Sequence, residues 1–244
     1  MNNEINVLKP RKDLNKAFLK VKPNRVEIEK FKTHLITLLD SINEKESEEF
    51  HKNLVGYFLN NTYYAGKHFI NTKGRNDQVI HSGAKADSTV SVIIEAKKPS
   101  NKSEMLKQVL PGDSRAEMLK KINTKAFQEL VLYYLRERIT HKNIEIKHII
   151  ATNIYEWFIF DATIFDKIFA QNKSFVKKFE DFENGRLSGT KTDFFYKEIA
   201  EPFIADITQD IEFTYFDFRE YDKALRNDDK RDYNKLIALF KLLS

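Results

Sequence analysis

The stretch VSVIIEAK, residues 90–97, decides the fold. It is rich in β-branched apolar residues, which is typical of a buried strand. A shorter extended run, NDQVIHS, occupies residues 76–82, and the polar segment GAKADST, residues 83–89, separates the two runs. Two extended runs on either side of a polar segment predict a β-hairpin. We expect this hairpin to lie at the centre of the structure.

Further elements are predicted on both sides of the hairpin. Helices are expected after Asn24, after Ser47 as N-cap, and from about Asn123, because apolar residues recur there at helical spacing. Three more apolar runs predict strands at residues 145–152, 156–162 and 211–218. The sequence therefore predicts an α/β fold in which helices flank a mixed central sheet.

The chain is expected to divide into three parts. Residues 1–45 form a helical lead-in, residues 46–165 contain the core, and residues 166–244 form a largely helical C-terminal segment. After Lys97, a polar stretch interrupts regular structure for about twenty residues. A loop of that length inside a compact domain favours a functional role.

Composition excludes several classes of protein. The 244 residues are 41% hydrophobic with only 7 Gly and 5 Pro, which favours a packed core over disorder. Cys is absent, which excludes disulfides, thiolate zinc sites and thiol nucleophiles. No two of the six His have the spacing of a helical zinc site. The start lacks a signal peptide and no segment is apolar enough to span a membrane, so a cytoplasmic protein without membrane partners is expected.

The hairpin brings together residues that can perform chemistry. Glu95 and Lys97 are two apart on one strand and therefore project from the same face. A loop of residues 83–89 pairs Ser82 with Val90 and places Asp77 opposite Glu95. Two facing carboxylates repel each other unless a cation or a shared proton compensates, so the arrangement indicates either an error in this register or a metal site.

The predicted ligands suit Mg²⁺, because this ion prefers hard oxygen atoms. Asp77, Glu95 and the backbone carbonyl of Ala96 are the expected ligands, and Mn²⁺ is an expected substitute. Lys97 lies where its ammonium can orient a metal-bound water and offset charge on an attacked phosphate. Phosphodiester hydrolysis is the implied reaction. The alternative is plain: in a chain that is 32% charged, a Glu-x-Lys triplet is also typical of a solvated strand end.

Asp77 followed by Glu95-Ala96-Lys97 resembles the PD-(D/E)XK nuclease superfamily. More narrowly, several stretches resemble the N-terminal nuclease region of type IIG restriction-modification enzymes, namely ESEEFHKNLVGYFL, INTKGRNDQVIHSG, VIIEAKKPSNKSEM, ELVLYYLRER and ATNIYEWFIFDA. The resemblance implies a Mg²⁺-dependent site-specific deoxyribonuclease of bacterial defence that acts on double-stranded DNA.

The resemblance also implies supporting residues. An acidic residue on the preceding helix often assists the metal in this superfamily; Glu48 and Glu49 match that position, and Glu49 is preferred. The alternative for either residue is a charge that only complements the helix dipole. Gln128 lies on the helix after the strand that carries Glu95 and Lys97, and it matches a residue that supports the site in this superfamily. The alternative is that Gln128 is an exposed polar residue without such a role. The sequence departs from the pattern at Asn76, where proline is expected, and at Gln78, where an apolar residue is expected.

Type IIG enzymes also methylate DNA, but these 244 residues contain no Pro-Pro pair and few Gly, so the methyltransferase and target-recognition domains are expected elsewhere in the same or a partner polypeptide. S-adenosylmethionine is expected to bind only there. Contacts to DNA phosphates are expected from the basic residues Lys73, Arg75, Lys98 and Lys102. Two alternatives stay open: an inactive DNA-binding or assembly module, and an RNA nuclease.

Overall fold

The computed structural model describes residues 4–72, 78–227 and 230–244. Its centre is a sheet of seven strands: β1 (Ile5–Leu8), β2 (Ile70–Asn71), β3 (Gln78–His81), β4 (Val90–Ala96), β5 (His148–Thr152), β6 (Glu156–Asp161) and β7 (Ile211–Asp217). Their order across the sheet is β1-β7-β6-β5-β4-β3-β2. The pairs β1–β7 and β4–β5 are parallel and the other neighbours are antiparallel. The predicted α/β fold with a mixed sheet is confirmed.

Helices cover both faces of the sheet. They are α1 (Pro10–Asp13), α2 (Lys16–Lys20), α3 (Arg25–Asp40), α4 (Glu48–Leu59), α5 (Arg115–Ile122), α6 (Lys125–Leu135), α7 (Ala162–Phe165), α8 (Lys173–Glu183), α9 (Thr192–Phe194), α10 (Glu201–Ala205), α11 (Asp222–Arg226) and α12 (Lys230–Leu242). π-helical turns extend four of them, at Asn60–Tyr64, Arg136–Thr140, Asp166–Ala170 and Phe195–Ala200, and a 3₁₀ turn spans Phe218–Tyr221.

Helices α3 and α4 begin after Asn24 and Ser47, as the sequence predicts. The side chain of Asn24 accepts a hydrogen bond from the Glu27 N–H, and the side chain of Glu27 accepts one from the Asn24 N–H, which forms a capping box. Ser47 caps α4 by accepting from the Phe50 N–H at 3.1 Å. Such caps satisfy amide groups that lack partners inside a helix. The second cap fixes the first turn of α4, which contains Glu48 and Glu49.

Alternation along the strands creates two apolar cores, one on each face of the sheet. The α6 face buries rings from α6 itself, from β6 and β7, and from the helices after β6, including Phe127, Phe158 and Phe165. The opposite face packs against α3, α4 and α12, and there Trp157 stacks on Phe216 with ring centroids 5.9 Å apart. Trp157 and Phe158 are both fully buried and are thus core residues.

Strand β7 joins the C-terminal part of the chain to the sheet. The 211–218 run forms a strand as predicted, but it lies between β1 and β6. Strand β1 comes from the lead-in, where no strand was predicted. The sheet therefore draws strands from all three of the expected parts of the chain.

Candidate active site

Strand β4 delivers Glu95 and Lys97 to one end of the sheet. The Lys97 N–H donates to the Thr152 carbonyl at 2.8 Å, which extends the pairing of β4 with β5 beyond Ala96. Glu95 is 1% exposed and Lys97 is 3% exposed. Lys97 Nζ lies 2.6 Å from Glu95 Oε1, which confirms that the two side chains share a face. They form a buried ion pair.

Three further carboxylates approach the same ammonium. Glu129 of α6 places Oε2 2.7 Å from Lys97 Nζ. Glu48, in the capped first turn of α4, lies at 3.4 Å, and Glu104 of the long loop lies at 3.8 Å. We call Glu48, Glu95, Glu104 and Glu129 the acidic cluster. Two helices, one loop and one strand therefore converge on Lys97.

Among the described residues around Lys97, carboxylates outnumber ammonium groups. Glu104 also pairs with Lys125 at 3.0 Å. Within this described part of the chain, the four carboxylates and two lysines sum to two negative charges when all six groups are ionised. Glu95 and Glu129 are buried with Lys97, whereas the side chains of Glu48 and Glu104 are 36% and 32% exposed. Carboxylates are donor groups that a hard divalent cation prefers.

The surroundings fix the protonation state of Lys97. Burial alone favours the neutral amine, but the charges and hydrogen bonds of Glu95 and Glu129 outweigh burial and raise the pKa of Lys97 well above its ordinary value. Lys97 therefore carries its positive charge throughout the physiological pH range. It can donate hydrogen bonds and stabilise negative charge.

A tyrosine from the C-terminal part of the chain adjoins the cluster. Tyr196 belongs to the π-helical turn that follows α9. Burial and the nearby charges of Glu129 and Glu95 raise the pKa of its hydroxyl above the ordinary value. Tyr196 therefore stays a neutral phenol and is a further polar group beside the acidic cluster.

Between Gln78 and Ile80, the pairing of β3 with β4 has the predicted register. Gln78 pairs with Ile94, and Ile80 pairs with Val92, as a register with Asp77 opposite Glu95 requires. The loop end differs: His81, not Ser82, pairs with Val90, and an irregularity between Ile80 and His81 restores the register. Such a bulge adds one residue to one strand. The predicted pairing of Ser82 with Val90 is therefore wrong.

Three of the predicted residues, Lys73, Arg75 and Asp77, lie outside the described residues. Ala96 is buried, and because the Lys97 N–H points to β5, the Ala96 carbonyl points to the opposite side, toward β3. Its role as a metal ligand stays a prediction. Lys98 is partly exposed and Lys102 is exposed, both in the loop after the active strand.

Of the two candidates on α4, Glu48 is the one that reaches Lys97. Glu49 pairs instead with Lys52 at 2.8 Å, and its side chain is 60% exposed. Gln128 is buried, so the alternative of an exposed position is wrong, and its amide donates to Asn123 at 3.0 Å. Its neighbour Glu129 is the α6 residue that contacts Lys97.

Sequence reasoning did not identify Glu104, Glu129 and Tyr196. The sequence did contain a signal for Glu129. Residues 126–135, AFQELVLYYL, are apolar or aromatic except at Gln128-Glu129. In the structure all ten of these residues are buried. A charged residue in a fully buried helix is expected to have a partner. Glu104 gave no comparable signal because it lies in a loop of polar residues.

The cluster fits Mg²⁺ in its donor chemistry, since every acidic group supplies hard carboxylate oxygens. As the side chains stand, these oxygens surround the ammonium of Lys97. In the described part of the chain, no group of three or more His, Asp or Glu side chains is arranged to hold a metal ion. The predicted ligand Asp77 lies outside that part.

Comparison with known proteins places the chain in a family. A family model described as Domain of unknown function (DUF7149) matches residues 8–244. The chain belongs to this family. The DUF7149 match includes the hairpin, the acidic cluster and the C-terminal helices. No curated protein and no solved structure matches the chain.

Within residues 4–72, 78–227 and 230–244, no helix combines the length and apolar character that crossing a bilayer requires.

Proposed function

We propose that the chain is a Mg²⁺-dependent endonuclease that hydrolyses phosphodiester bonds of double-stranded DNA. The observation that carries this proposal is the buried ammonium of Lys97 between Glu95 and Glu129, at 2.6 and 2.7 Å, inside a cluster with excess negative charge. The Asp, Glu-x-Lys spacing in the hairpin supports the same activity. The exposed basic side chains of the adjacent loop suit a polyanionic substrate.

The chain's own residues have separable roles. Mg²⁺, when bound, supplies a Lewis acid and lowers the pKa of a coordinated water. Lys97 stays protonated, so it can donate to the attacking water or to a phosphate oxygen that gains negative charge. Glu129 holds the ammonium in place from α6 and is a positioning residue. Glu95 contacts Lys97 and offers oxygen atoms to a divalent ion.

The wider assembly is part of the proposal. The resemblance to type IIG enzymes supports a cleavage domain that works with methyltransferase and target-recognition domains in the same or a partner polypeptide. S-adenosylmethionine would bind those domains. Phosphate contacts from Lys98 and Lys102 would give affinity that falls with salt and depends little on sequence.

Plasmid cleavage tests the proposal. Supercoiled DNA is incubated with the purified chain in Mg²⁺, Mn²⁺ or EDTA, and nicking is followed on agarose gels. We expect metal-dependent nicking that falls by about 10²-fold or more in Asp77→Ala and Glu95→Gln. Glu180→Gln, at an exposed glutamate of α8, is the control and should nick like the wild type. Nicking that survives both active-site substitutions would contradict the proposal.

One observation favours a second candidate, an inactive DNA-binding or assembly module. The ammonium of Lys97 already contacts all four carboxylates, so the cluster could act as an ion-pair network that only stabilises the fold. Such a module would bind Mg²⁺ weakly and nick no plasmid, which titration calorimetry and the gel assay measure separately. Parallel digestion of DNA and RNA of equal length distinguishes the third candidate, an RNA nuclease.

A further inference from the structure

A pocket with a volume of about 570 Å³ lies where α3, α12 and the segment after α4 meet. Four lysines from separate parts of the chain line it: Lys22 before α3, Lys30 of α3, Lys67 after the π-helical turn at Asn60–Tyr64, and Lys241 of α12. We call it the lysine pocket. It shares no residue with the acidic cluster, and its volume is in the range of small-molecule sites.

Positive charge predominates in the lysine pocket. Among the described residues that line it, Glu27 supplies the single carboxylate, and that carboxylate accepts from the Asn24 N–H at 2.8 Å in the capping box of α3. Within the described ranges, no carboxylate forms an ion pair with any of the four lysines. The pocket therefore attracts anions.

Lys241 distinguishes this pocket from an ordinary basic surface, because it is only 4% exposed. Its ammonium donates to the Phe18 carbonyl and lies 4.2 Å from the centre of the Phe18 ring, but neither group carries a full negative charge. In the described part of the chain, the other three buried lysines, Lys32, Lys52 and Lys97, each pair with a glutamate within 4.0 Å. A buried lysine normally has such a partner, so a ligand is expected to supply the anion that Lys241 lacks.

The arrangement fits a compact polyanion. An ammonium group is a point charge that binds phosphate oxygens from many directions, and several such groups around one pocket suit several phosphate charges. Because Lys241 is buried, the anion must enter the pocket to reach it, which favours a small ligand over a nucleic-acid backbone. We infer that the lysine pocket binds a small polyphosphate, either free or as part of a nucleotide. This inference does not depend on the proposed nuclease function.

Isothermal titration calorimetry in EDTA and low salt tests the inference, with inorganic triphosphate, ATP and adenosine as probes. We expect triphosphate and ATP to bind, and adenosine, which has no phosphate, not to bind. Lys30→Gln and Lys67→Gln each change an exposed side chain and should weaken triphosphate binding by about three- to tenfold. Lys178→Gln, at an exposed lysine of α8, is the matched control and should bind like the wild type.

A further variant, Lys241→Met, tests the buried ammonium. Met fills a similar space without charge, so the variant should fold, as circular dichroism checks, and bind triphosphate at least about tenfold more weakly. If it does not fold, the two exposed variants decide. ATP binding that is tighter than triphosphate binding would identify a nucleotide as the ligand, and equal affinities would identify the polyphosphate group alone.

Four outcomes would overturn the inference. The first is that triphosphate does not bind the wild-type chain, and the second is that Lys30→Gln and Lys67→Gln leave its binding unchanged. The third is a folded Lys241→Met protein that binds triphosphate like the wild type. The fourth is an oligothymidylate of about twelve nucleotides that binds as tightly as triphosphate and weakens in the same variants, which would assign the lysines to a nucleic-acid backbone.

Discussion

Polar side chains are buried at both ends of strand β4, but their hydrogen bonds and charges are arranged differently at the two ends. At the amino end, the Asn143 amide donates to the Val90 carbonyl at 2.8 Å and to Glu137 at 3.3 Å. At the carboxyl end, Lys97 meets four carboxylates. The first arrangement pairs donors with acceptors, as a structural network does. The second concentrates one sign of charge, which a fold alone does not require.

The largest expected effect on stability is at the carboxyl end. Lys97→Met removes the ammonium and leaves the buried carboxylates uncompensated, so the free energy of unfolding should fall by about 3–5 kcal/mol. Urea denaturation at pH 7, followed by circular dichroism, measures the change. Lys125→Met is the matched control on the exposed side of the cluster and should cost less than about 1 kcal/mol. A loss in Lys97→Met no larger than in the control would contradict the charge imbalance.

The loss of stability in Lys97→Met should depend on pH in a defined way. Because the folded state raises the pKa of Lys97 above its ordinary value of 10.5, its contribution is fully present below that pH and is lost as the pH rises through the folded value. The stability difference between wild type and Lys97→Met should therefore be constant from neutral pH to about pH 10. A difference that shrinks between pH 7 and 9 would show that the ammonium is not held by the carboxylates.

A smaller effect is expected at the amino end. Asn143→Ala removes the donor to the Val90 carbonyl and should cost about 1–3 kcal/mol. Because the change lies at the far end of β4 from Lys97, metal-dependent nicking at a temperature where the variant is folded should match the wild type. Loss of nicking in a folded Asn143→Ala protein would show that the two ends are coupled.

The smallest expected effect is at Glu104. Burial alone would raise its pKa, but hydrogen bonds from Lys125 and Asn101 lower it below the ordinary value of 4.5. Its contribution is therefore present above pH 4.5 and is lost as the pH falls through the folded pKa. Glu104→Gln should cost at most about 1 kcal/mol at pH 7 and nothing at the acidic limit. Exposed Glu198→Gln is the control and should show no such convergence.

Features that depend on residues close in the sequence could be predicted, whereas contacts between distant segments could not. The hairpin, the capped helices and the shared face of Glu95 and Lys97 follow from local patterns, and the structure confirms them. Strand β1 was missed because its four residues pair with β7, about 200 positions away, and carry no clear alternation. The partners of Lys97 on α6 and the long loop also depend on tertiary packing.

The position of β1 has a consequence for the order of assembly. This edge strand pairs with β7, which follows it about 200 residues later in the chain. Residues 5–8 therefore cannot dock until β7 has been synthesised, and closing so long a loop is slow. Pulse-labelled hydrogen exchange should find the amides of residues 5–8 protected after those of β4 and β5.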